Sequence, residues 1–78
     1  MVEIHTLDAL KRLCTNRVVH CRFKIAHEKW EQKMECFNHL IFIYDSEDQS
    51  IRILPENQLD SENKLMNALA WGEVVAEL

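Results

Sequence analysis

A single glycine, Gly72, and a single proline, Pro55, punctuate 78 residues, which leaves the chain few places to bend sharply or to run as a flexible loop. Its elements must follow one another closely. A chain this short forms one domain, here residues 1–78, and buries only about 60 to 65% of its unfolded surface. Stability is therefore marginal, and self-association or a partner would supply what a small core lacks. With 47% hydrophobic and 28% charged residues, the composition is that of a folded domain rather than a disordered tail.

The scarcity of glycine also limits chemistry. A phosphate-cradling loop needs several glycines so that backbone amides can approach the anion, so neither a P-loop nor a dinucleotide fingerprint fits. The only serines, Ser46, Ser50 and Ser61, lie outside any Gly-x-Ser-x-Gly context. The chain is read as non-enzymatic, with no catalytic residue and no cofactor.

The longest apolar stretch, Leu40–Tyr44, is far short of the ~20 residues that cross a bilayer, and the N-terminus lacks the basic and apolar blocks of a signal peptide. No membrane association and a cytoplasmic location are the expectations. Cys14, Cys21 and Cys36 form an odd set, which predicts three thiols in a reducing compartment.

The net charge of −4 is unevenly spread. Residues 1–33 hold seven bases against four acids, a net +3, and residues 34–78 hold two bases against nine acids, a net −7. Such asymmetry marks a nucleic-acid or acidic-partner site in one half, or two halves that fold against each other.

Thr6 before Leu7, Leu10 and Cys14 at helical spacing, and Asp8 ahead of Lys11 and Arg12 predict a short helix over Leu7–Cys14. Val19, Cys21, Phe23 and Ile25 then alternate with polar neighbours, the pattern of a half-buried strand. A second strand over Met34–Tyr44, apolar on both faces, reads as central, and a turn at Asp45–Gln49 leads to a third over Ser50–Leu54. From Asp60 or Ser61 onward a helix is expected, capped by Ser61. Its first stripe, Leu65, Met66 and Leu69, is out of phase with a second, Trp71, Val74, Val75 and Leu78, so a break at Gly72 would repair the mismatch. The predicted fold is α+β: a three-stranded antiparallel meander with N- and C-terminal helices on one face, in the order α-β-β-β-α.

Three constellations point to function. His20, Cys21, Cys14, Cys36 and His39 offer zinc-type ligands, but on alternating strands they fall on opposite faces, so a zinc-stabilised module is an alternative and no metal ligand is assigned. His20, Arg22 and Lys24 project side by side from one strand face. That row suits an acidic protein surface, or single-stranded nucleic acid if an aromatic lay beside it, and Phe23 points inward. Trp71, Val74, Val75 and Leu78 form a candidate hot-spot stripe. The function expected is that of a small adaptor or regulatory protein. It would bind another protein through Trp71, Val74, Val75 and Leu78, be steered by His20, Arg22 and Lys24, and pair as a homodimer through open sheet edges.

Overall fold

Thr6 caps the first helix: its backbone is extended, and its hydroxyl accepts a hydrogen bond from the Ala9 amide at 3.1 Å. In the computed structural model, which describes residues 1–45, 47–59 and 63–78, helix α1 spans Leu7–Leu13 and closes on Cys14, burying Leu10 completely. Six strands make one sheet: β1 (Val2–Glu3), β2 (Val18–Lys24), β3 (Gln32–Phe37), β4 (Leu40–Asp45), β5 (Ser50–Leu54) and β6 (Glu73–Glu77). Their order is β1-β6-β2-β3-β4-β5, with every neighbouring pair antiparallel. A second helix, α2, spans Lys64–Trp71.

The three-stranded meander is thus replaced by a six-stranded sheet, for local reasons. Met34–Tyr44 is two strands, because Phe37 registers against Leu40 across a two-residue loop. Asn38 takes that turn at φ +52°, a left-handed conformation that Asn tolerates well. Two further contacts hold the turn: the Asn38 amide donates to the Cys14 carbonyl at 2.7 Å, and its side-chain oxygen accepts from the Asn16 amide at 2.7 Å. Asn16 and Gln49 also have positive φ, so in a glycine-poor chain these residues make the turns that glycine usually makes.

The expected C-terminal helix ends at Gly72, and the rest of the chain is β6. Five residues containing Val74, Val75 and Ala76 fit either period. The strand wins because it finds hydrogen-bonding partners on both sides, β1 and β2. Gly72 makes the switch possible: a Cβ there would lie 2.0 Å from the Lys24 carbonyl oxygen. The two apolar stripes were out of phase because the second belongs to a strand. The expected Ser61 cap lies outside the described residues; α2 is capped by Asn63, whose side-chain oxygen accepts from the Met66 amide at 2.9 Å.

The register sets one face of the sheet against both helices. Val19, Cys21 and Phe23 of β2, Met34 and Cys36 of β3, Ile41 and Ile43 of β4, and Val74 and Ala76 of β6 share a core with Leu10, Leu65 and Ala68. Cys14 and Cys36 meet in this core, Cα atoms 5.9 Å apart, and are paired as a disulfide. The expectation of three thiols is corrected to one, Cys21, and the argument from an odd cysteine set to a reducing compartment goes with it. Burial, with Glu77 nearby, pushes the Cys21 thiol up to about 11, which keeps it protonated and poorly nucleophilic. Among the described residues no helix is long and apolar enough to cross a membrane.

At the end of β4, Asp45 is buried and meets the Lys64 ammonium at 2.5 Å, tying the sheet to the first residue of α2. The hydrogen bond from Lys64, with further amide donation from Glu47, holds the Asp45 carboxyl below the usual carboxylate range; the same bond raises Lys64. A lowered carboxyl stabilises the fold above its unfolded pKa, about 3.9, and that stabilisation is lost as pH falls through the folded value. The raised Lys64 contributes below its ordinary value of 10.5 and loses that contribution as pH rises through its folded one. Denaturant melts of wild type and Asp45→Asn should therefore differ by a constant amount between about pH 5 and pH 9, with the gap closing below about pH 4. A gap unchanged at pH 2 would show that ionisation of Asp45 is not what stabilises this corner.

Candidate functional site

The sheet face opposite the helices is open. Strand parity places on it His20, Arg22 and Lys24 of β2, Lys33, Glu35 and Phe37 of β3, and Leu40, Phe42 and Tyr44 of β4. Ile51 and Ile53 of the edge strand β5 and Glu73, Val75 and Glu77 of β6 complete it. The register divides this face into a charged half and an apolar half.

The charged half is built on β6 and β2. Lys24 registers with Glu73, Arg22 with Val75, and His20 with Glu77 on one side and Glu35 on the other. Arg22 forms an ion pair with Glu77, its Nε 2.8 Å from the carboxylate; its Nη1 lies 3.5 Å from Glu31 and its Nη2 3.1 Å from the Met1 sulfur. The uneven charge of the chain is resolved here, since a basic strand from the first half pairs with an acidic strand from the second. The row His20, Arg22 and Lys24 is real but interleaved with carboxylates, which weakens it as a track for phosphates. The aromatic that this face was expected to lack is supplied by other strands: Tyr44 registers with Lys33, and Phe42 with Glu35.

The apolar half is built on β4 and β5. Phe42 sits beside Ile53, Tyr44 beside Ile51, and Val18, Phe37 and Leu40 form a row across three strands. Ile51 is 69% exposed and Ile53 57%; Val18, Phe37, Leu40 and Tyr44 are each more than two-fifths exposed. Together they present on the order of 500 Å² of apolar surface, near the top of the range for the largest patch on an ordinary monomer. Where the halves meet, His20, Lys33, Glu35, Phe42, Tyr44 and Ile51 line a shallow depression of about 180 Å³.

The expected anchor does not assemble. Val74 lies in the core, and Val75 is half-buried on the open face opposite Arg22. Trp71 (77% exposed) and Leu78 (52% exposed) sit beyond opposite ends of β6, roughly 20 Å apart at the rise of an extended chain. Helical spacing had gathered four residues that a strand disperses. Ser-Ile-Arg-Ile-Leu marks a strand but does not by itself say which face its isoleucines take. The signal that decides is the register. Ile41 and Ile43 lie in the core, so Phe42 and Tyr44 point outward, and their partners Ile53 and Ile51 must follow.

The thiol and imidazole constellation is dispersed as well. Cys14 and Cys36 are bonded to each other, Cys21 faces the core, and His20 faces the open side. Among the described residues no group of three or more His, Cys, Asp or Glu side chains is placed to hold a metal ion. In the acidic turn, Asp45 binds Lys64, and Asp48 accepts from the amide and hydroxyl of Ser50, as a hairpin turn requires. Comparison with protein-family models, with curated proteins and with solved structures finds no match to this chain.

Proposed function

We propose that this chain is a non-enzymatic adaptor or regulatory module that binds another protein on the open face of its sheet. The observation that carries the reading is the apolar half of that face: Phe37, Leu40, Phe42, Tyr44, Ile51 and Ile53 lie together, outside the core, on a 78-residue chain. A patch of this size rimmed by charge is the ordinary mark of an interaction surface. The anchor moves from Trp71, Val74, Val75 and Leu78 to β4 and β5. His20, Arg22 and Lys24, with Lys33, form a border that orients a partner carrying acidic groups at the matching edge.

A photo-crosslinking side chain placed at Tyr44 should give discrete adducts with the bound protein in the cell of origin. The same probe at Arg12, on the helical side, should give none. Equal labelling from both positions, or no adduct from Tyr44, would count against the reading.

A further inference from the structure

We infer that the protein docked on the apolar half is a second copy of this chain, so that the working form is a face-to-face homodimer; the inference rests on the binding surface just proposed. Area and charge both support it.

Most of the exposed apolar residues lie on one side of the face. On β4 and β5 no charged side chain points to the open side, whereas on β2 and β6 most do. A two-fold axis running along β4 lays β5 of one copy over β3 of the other and β4 over β4, with β2, β6 and β1 left in water. Such an overlap covers Phe37, Leu40, Phe42, Tyr44, Ile51 and Ile53 of each copy, with Ile51 and Ile53 lying against the β3 row that holds Lys33 and Glu35, and leaves Val18 of β2 in solvent. With the polar groups around the covered residues, about 800 Å² per partner is covered, the area of a standard stable interface. Along the axis itself β4 faces β4 with Leu40, Phe42 and Tyr44 and no charge, so the centre is self-complementary, as an isologous interface requires.

The ends of the strands agree. Arg22, Lys33, Tyr44 and Ile51 lie in one row across the sheet, next to the β4–β5 turn that carries Glu47 and Asp48. An axis along β4 keeps this end of both copies together. It brings the acidic turn of each copy beside β3 of the other, where Lys33 stands.

Sedimentation equilibrium on the full chain tests this directly. Wild type at about 100 μM should have a mass of twice 9.3 kDa. Tyr44→Asp and Ile53→Asp, both at exposed positions, should raise the dissociation constant about 30-fold or more while leaving the far-ultraviolet circular dichroism spectrum and a cooperative melt intact. A folded wild type that stays at 9.3 kDa up to about 500 μM would overturn the inference. So would a dimer indifferent to Tyr44→Asp, since pairing through the β5 edges alone leaves Tyr44 one strand away. The Tyr44 crosslink separates the two claims. A monomer that still forms an adduct with a different protein removes the dimer and keeps the surface; a monomer with no adduct removes both.

Discussion

Gly72→Ala should unfold the domain or leave it barely stable, with a loss of about 3 kcal/mol or more. One methyl group has so large an effect because of where it must go. The added Cβ would sit 2.0 Å from the Lys24 carbonyl oxygen, 3.0 Å from its carbon and 3.1 Å from the Ile25 Cα. All three are backbone atoms at the end of β2, so no side chain can rotate away. Relief requires β6 to separate from β2, beginning at the Lys24–Glu73 pair, and that separation would expose Val74 and Ala76, both buried in the core. Against a total stability of about 4 to 12 kcal/mol for a chain of this length, such a loss is a large fraction of the whole. Urea denaturation followed by circular dichroism measures it. A Gly72→Ala protein with a wild-type midpoint would mean that β6 does not approach β2 at this point.

The second large effect is expected at the Cys14–Cys36 pair. The bond spans 22 residues, and closing a loop of that length removes chain entropy from the unfolded state worth about 3 kcal/mol. It joins the end of α1 to β3, across the stretch that contains all of β2. Reduction, or Cys14→Ser with Cys36→Ser, should lower the urea midpoint accordingly, while Cys21→Ala should leave disulfide pairing unchanged. Alkylation of the unfolded chain should mark one cysteine without reductant and three with it. Three marked cysteines without reductant would show that the bond is not formed.

The elements that could be read from the residues are those with one dominant local signal. Thr6 and the charges at either end fix α1, strict alternation fixes β2, and the turn before Ser50 with Pro55 after Leu54 brackets β5. The failures come where two signals overlap. Asn38 and His39 turn the chain between two apolar runs without a glycine or proline to mark the place, so β3 and β4 read as one strand. Val74, Val75 and Ala76 satisfy helical and strand periods alike, and only the vacant position between β1 and β2, a long-range property, decides between them. The candidate surface was half legible for the same reason. His20, Arg22 and Lys24 lie on one strand and share a face by parity alone. Phe42, Tyr44, Ile51 and Ile53 come together only once the register between strands is known.

The central claim is that the outward isoleucines of β5 are covered in the working protein. Methyl NMR spectra recorded with a soluble paramagnetic agent test it most directly, at a concentration where the assembled form prevails. The Ile51 and Ile53 methyls should be broadened far less than those of Leu78, although Ile51 at 69% and Ile53 at 57% are more exposed in the single chain than Leu78 at 52%. Broadening of the isoleucine methyls equal to or greater than that of Leu78 would contradict the account.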